Sequence, residues 1–181
     1  FSLLYANPGL LDLLAEIMGS APRLAEHLSR NARLLDAVLV KGFFDALPER
    51  KQLRKELRTQ LEQANDFQDV LDIVRSWTKD RQFQVGVRIL RGMMGADAAG
   101  EPLSHIAEAA VVELQPHVEA DFARVHGRLP GAGMVTVGLG KLGSRELSFT
   151  SDLDLIFIYD LPEGADSDEA QHHLMSDGRK P

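Results

Sequence analysis

Apolar residues first recur at helical spacing as Leu10, Leu11, Leu13, Leu14 and Ile17, and Gly19 is expected to end that helix. Ser20 is a candidate N-cap for a second helix, with Pro22 in its first turn and Leu24, Ala25 and Leu28 on one face. A short helix is expected over 32–40, stopped by Gly42. Pro48 opens a more polar helix over about 49–64, where Leu53, Leu57 and Leu61 form one narrow apolar stripe among charges. Asp66 is placed to cap the longest segment, roughly 67–94, which carries Val70, Ile73, Val74, Trp77, Phe83, Val87, Leu90 and Met94. A loop over 95–102 leads to a helix over 103–126, with Ile106, Ala110, Leu114, Val118 and Phe122 at spacings of four. Two long amphipathic helices joined by a short loop predict an antiparallel helical bundle.

The pattern changes where Gly127, Pro130, Gly131 and Gly133 interrupt any helix. Residues 134–137 then read as a strand, followed by a glycine-rich turn. The run Leu153, Leu155, Ile156, Phe157, Ile158 is continuous enough for a strand covered on both faces. Residues 161–181, rich in Pro, Gly and Asp, read as a loop. The expected architecture is mostly α with a small α/β part: a helical bundle over 1–127, then a second unit over 128–181.

Composition narrows the classes of function. The chain has 181 residues, 44% hydrophobic and 26% charged, and its 20 Lys+Arg against 27 Asp+Glu give a formal charge of −7. That sign argues against broad electrostatic binding of nucleic acid. With no cysteine, disulfides, thiolate metal sites and a cysteine nucleophile are excluded. No window approaches the roughly 20 apolar residues of a membrane span, and no signal-peptide pattern opens the chain. A cytoplasmic location and a reducing compartment are expected. The first residue is Phe1 rather than Met, as expected of a piece of a longer polypeptide.

The chemistry concentrates in 138–160, which reads GLGKLGSRELSFTSDLDLIFIYD. Gly138, Gly140 and Gly143 satisfy G-x-G-x-x-G after a strand, and Asp160 lies about where a ribose-binding acid would stand. Nine residues separate Gly143 from Leu153, however, fewer than the dozen or so that a helical crossover between parallel strands requires. A second reading joins Gly143 and Ser144 to Asp152 and Asp154. Alternate residues of a strand share a face, so the two carboxylates are expected on one side, where a divalent cation relieves their repulsion. Mg²⁺ takes oxygen ligands and leaves positions for substrate phosphates, so this pair suits metal-bound ATP. Glycine permits close backbone approach to a phosphate, Ser144 adds a hydroxyl, and a short helix after the turn would aim its free N–H groups at the anion. Lys141 and Arg145 supply positive charge.

A Gly-Ser turn, a single helical turn and D-x-D opening an apolar strand resemble the nucleotidyltransferase superfamily that includes polymerase-β-like enzymes. The full string is similar to the signature of bacterial glutamine synthetase adenylyltransferases, a G-x-G-K-L-G-[GS]-x-E-[LM] run leading into S-D-[LI]-D-L-I. Lys141, Leu142, Gly143, Ser144, Arg145, Glu146, Ser151, Asp152 and Asp154 stand at the matching positions. The resemblance covers about 134–160 specifically and the helical region more loosely.

It implies the first strands of a nucleotidyltransferase fold, incomplete at the C-terminus. The implied enzyme transfers AMP from ATP to a glutamine synthetase tyrosine in nitrogen regulation. Asp152 and Asp154 would be catalytic and hold Mg²⁺, and Gly143, Ser144, Lys141 and Arg145 would bind nucleotide. The family carries two such domains of opposed activity. Residues 19–25 and 34–36 resemble the lead-in to the adenylylating one, with the phosphorolytic, AMP-removing domain as the alternative. Glutamine synthetase and a PII-type signalling protein are the implied partners, and neither nucleic acid nor membrane is. The superfamily's third carboxylate, in a Glu-Val-Asp-x-Arg-Leu-Arg-Pro-like segment, has no match after Asp160, so the chain alone is expected to be a poor catalyst.

Other conspicuous residues have plainer readings. Asp160 is expected to end its strand in solvent, and Glu146 to join a local salt bridge. Ser148 and Ser151 suit turn hydrogen bonds. The spacing of His105, His117 and His126 builds no metal site, and His172 and His173 are expected to be solvated. Trp77 and Phe83 read as core. Lys51, Arg54, Lys55 and Arg58 read as a solvated basic face. A non-catalytic module, docking a partner through 1–127, is the alternative of another class.

Overall fold

The computed structural model describes residues 8–30, 34, 38, 43, 46–127 and 131–160. The elements are α1 (Pro8–Ser20), α2 (Pro22–Arg30), α3 (Arg50–Leu61), α4 (Phe67–Leu90), a 3-10 turn (Ala96–Ala99), α5 (Gly100–His126), β1 (Gly133–Gly138), the single turn α6 (Gly140–Gly143) and β2 (Leu155–Asp160). The expected short helix over 32–40 falls largely, and the expected loop over 161–181 wholly, outside the described residues.

Local chemistry accounts for most boundaries. Asp66 caps α4 as expected, its side chain accepting from the Asp69 amide at 2.8 Å. Pro22 opens α2, where its missing N–H costs nothing. The N-cap of α3 is Glu49, whose amide donates to Gln52 Oε1 at 3.1 Å. Two expectations shift. Gly19 does not end α1, which continues through Ser20, and the Ala21 amide still donates to the Ile17 carbonyl at 3.0 Å. Ser20 therefore belongs to α1 rather than capping α2. The 95–102 loop contains a 3-10 turn, Ala96–Ala99, that runs directly into α5 at Gly100.

Two apolar clusters share α4. One joins Leu53, Leu57 and Leu61 of α3 to Val70, Val74 and Trp77 of α4 and Leu103, Ile106 and Ala109 of α5. The other joins Leu13 and Ile17 of α1 and Leu28 of α2 to Phe83 and Val87. Trp77 is buried as expected, and its indole N–H donates to Glu56 Oε1 at 2.9 Å.

The expected basic face of α3 is divided. Arg54 Nε donates to Glu113 Oε1 at 2.7 Å and Arg58 Nε to Glu113 Oε2 at 2.9 Å, so two of its four cations bind α3 to α5. The Glu113 side chain is only 6% exposed. Burial favours its neutral form, but the hydrogen bonds and charges of Arg58 and Arg54 outweigh that and hold its pKa below the usual carboxylate value.

β1 and β2 form a two-stranded antiparallel sheet with Gly133 opposite Asp160 and Gly138 opposite Leu155. Gln115 of α5 accepts from Thr136 Oγ1 at 3.0 Å, which ties the helices to β1. The expectation that the second strand is covered on both faces is not met: Phe157, Ile158 and Tyr159 are 54%, 57% and 70% exposed. Among the described residues β2 has one neighbouring strand, and the described helices leave both its faces open. No helix among the described residues is long and apolar enough to cross a membrane.

Candidate functional site

The bend from Leu139 to Leu147 is built by two residues in the left-handed region, Gly140 at φ 51° and Arg145 at φ 61°. Between them α6 makes one turn, with the Gly143 amide donating to Leu139 O and the Ser144 amide to Gly140 O, both at 3.0 Å. Arg145 then closes it: its amide donates to Leu142 O at 3.2 Å and the Glu146 amide to Lys141 O at 2.8 Å. This is the paired closure of a Schellman motif, in which the left-handed position usually belongs to glycine. α4 ends the same way with Gly92, at φ 65°, in that position.

The helical turn therefore precedes Ser144 instead of following it. The expectation of a short helix opening after the Gly-Ser pair is corrected, because left-handed Arg145 stops the helix one residue beyond Ser144. Ser144 Oγ donates to Glu146 Oε2 at 2.8 Å.

Asp154 precedes β2 but already joins the ladder, its carbonyl accepting from the Leu139 amide at 2.8 Å. Its carboxylate lies over Gly140, in the space a Cβ there would occupy. Ser144 is the C-cap of this turn, which opens at the Gly140 that the Asp154 carboxylate covers. Leu142 turns the other way, against Gly138 and into the helical core. Asp152 is exposed two residues earlier, beyond a turn in which the Ser148 amide donates to Ser151 Oγ at 3.0 Å. Ser148 and Ser151 do the turn-holding expected of them.

The carboxylates of Asp152 and Asp154 have no hydrogen-bond or ion-pair partner among the described residues, which leaves those oxygens open to a cation. Carboxylate oxygens are donors that suit a hard ion such as Mg²⁺. No third His, Asp or Glu joins them in a closed cluster among the described residues. Lys141 is exposed on α6. Arg145 extends towards α5, with Nη1 3.8 Å from Glu101 Oε1. It also lines a cavity of about 270 Å³ between α5 and the bend, with Gly143, Leu142 and Glu108. A larger cavity, about 760 Å³, lies between α2 and α4 with Phe149 at its edge. Neither Asp152 nor Asp154 lines the larger space, so size does not locate the chemistry here.

The sequence pattern did not reveal the contact between Gly100 and the bend. A Cβ on Gly100 would stand 2.9 Å from Arg145 O and 3.0 Å from Glu146 Cα. The sequence pattern placed Gly100 in a loop, and the helix in fact begins at it.

Residues 11–176 match the family model described as glutamate-ammonia ligase adenylyltransferase. The chain is 41% identical over its whole length to a bifunctional glutamine synthetase adenylyltransferase/adenylyl-removing enzyme of Brucella suis biovar 1 (strain 1330). It is 38% identical over its whole length to the protein of the same description from Rhizobium meliloti (strain 1021), and 37% to that of Bartonella quintana (strain Toulouse). The chain spans about 18% of the length of each of these relatives. Match and identity extend through the helices as well as the bend, and the chain belongs to the glutamate-ammonia ligase adenylyltransferase family.

Proposed function

We propose that the chain carries the nucleotide-binding segment of a domain that transfers AMP from ATP to a tyrosine of glutamine synthetase. The observation that carries the reading is the Asp154 carboxylate lying over Gly140, at the start of the turn that Ser144 caps. In this reading Asp152 and Asp154 hold Mg²⁺, which when bound offsets the negative charge of the triphosphate. Gly143, against whose missing Cβ the Gly138 carbonyl packs, keeps the turn tight beside the nucleotide, Ser144 donates its hydroxyl, and Lys141 and Arg145 lend positive charge. The tyrosine oxygen forms a bond to the α-phosphorus as the bond to the β-phosphate oxygen breaks, and pyrophosphate leaves. The chain's contribution is positioning and charge complementarity, the main resources of phosphoryl-type transfer.

The open, apolar β2 supports a polymerase-β-like sheet that continues through further strands of a longer polypeptide. A cytoplasmic setting and a PII-type regulatory partner belong to the same reading. Its test is Asp152→Asn and Asp154→Asn in a complete domain, followed by incorporation of label from α-labelled ATP into glutamine synthetase. Each variant is expected to keep its helical spectrum and lose about 100-fold or more of the transfer. Undiminished transfer overturns the assignment. Phosphate-dependent release of ADP from adenylylated glutamine synthetase, with no incorporation, assigns the opposed activity instead. Partner binding that persists with neither reaction assigns a docking module.

A further inference from the structure

We infer that the first turn of α5, through Gly100 and Glu101, positions the Ser144–Glu146 bend for nucleotide, an inference that rests on the reading above. Gly100 has φ −58° and ψ −46°, ordinary helical values that any residue adopts. Alanine there would favour the helix by about 1 kcal/mol, so backbone freedom does not explain the glycine. The neighbours do. The atoms that a methyl would meet, Arg145 O at 2.9 Å and Glu146 Cα at 3.0 Å, are both backbone and cannot rotate aside.

The approach is held from both sides. Ser104 Oγ donates to Gly100 O at 2.7 Å, fixing the helix end. Leu147, 6% exposed, anchors the far side of the bend in the core formed by α3, α4 and α5. The Arg145 guanidinium stands 3.8 Å from Glu101 across the gap. Arg145 is also the only non-glycine residue with positive φ among the described residues, a conformation that persists where surrounding contacts enforce it. Pushing α5 away from the bend would therefore shift Ser144 relative to Asp154 while leaving both side chains intact.

The test compares Gly100→Ala, Glu101→Lys, Asp154→Asn and the control Gly95→Ala with the parent 181-residue chain. A Cβ at Gly95 meets nothing within 4 Å. Three readouts are taken: thermal melting, amide hydrogen exchange at Ser144–Glu146, and Mg·ATP affinity by calorimetry. Gly100→Ala is expected to leave helix content unchanged, speed exchange at those amides about tenfold, and weaken Mg·ATP about tenfold. Glu101→Lys adds no bulk at the contact and carries the test if Gly100→Ala does not fold. Its expected effect is about threefold in each local readout. Gly95→Ala is expected to match the parent.

Unchanged exchange at the bend in both variants overturns the inference whatever happens to nucleotide. Faster exchange with parental affinity, where Asp154→Asn does weaken binding, overturns it as well. If the parent does not bind Mg·ATP, or Asp154→Asn leaves affinity unchanged, the nucleotide reading fails and the positioning role fails with it. Exchange data then still report whether the mechanical contact exists.

Discussion

α3 and β2 are both short elements whose apolar residues need cover, yet they end in opposite surroundings. Leu53, Leu57 and Leu61 of α3 are buried between α4 and α5, while Ile156, Phe157, Ile158 and Tyr159 of β2 lie open to water. In α3 every apolar residue meets a partner within the chain. In β2 the apolar content exceeds what one strand and the helices cover. A hydrophobic pattern thus states how many faces an element needs covered, and the described residues supply that cover for α3 and not for β2.

The sharpest break in this comparison is Leu57→Ala, at a side chain with 0% exposure. It should cost about 3 kcal/mol, read by chemical denaturation. Next is Glu113→Gln, which leaves Arg54 and Arg58 without their shared anion and should cost about 2 kcal/mol. Its pH signature has a definite sign. A carboxyl whose pKa is lower folded than unfolded stabilises fully above the unfolded value, and loses that contribution as pH falls through the folded one. The parent should therefore lose stability below about pH 5, and Glu113→Gln should remove part of that slope in denaturation curves at stepped pH.

Arg145→Gly acts in the opposite direction. Glycine occupies the left-handed position without a Cβ clash, so the variant should melt later, by about 1 kcal/mol of added stability, while binding Mg·ATP less tightly. The smallest effect is reserved for Ile158→Thr. Its side chain is already 57% exposed, so it should change stability by less than about 0.5 kcal/mol in the same denaturation assay. A loss comparable to that of Leu57→Ala would mean that β2 is covered after all.

Local signals were legible wherever one residue's chemistry decides the outcome. The stripe at Leu53, Leu57 and Leu61, the Asp66 cap and Pro22 at a helix start could all be read from spacing and residue type. Gly19 misled because a single glycine weakens a helix without forbidding it, and the backbone bonds continued through Ser20. Glu113 with Arg54 and Arg58 was invisible because the partners lie 55 and 59 residues apart, beyond any local periodicity. At the candidate site, the residue types and the strand that follows them were readable. The order of helix and Gly-Ser pair was not, since it depends on a left-handed arginine, a state that no side chain announces.

Leu142 and Leu147 are the two footings of an arch: Leu147 is buried in the helical core, half-buried Leu142 packs against it, and the four residues spanning them stand in water. An arch cannot outlast its abutments. Warming that loosens α3, α4 and α5 should let the span sag at the same temperature, so affinity for Mg·ATP should fade in step with the helical signal and not ahead of it.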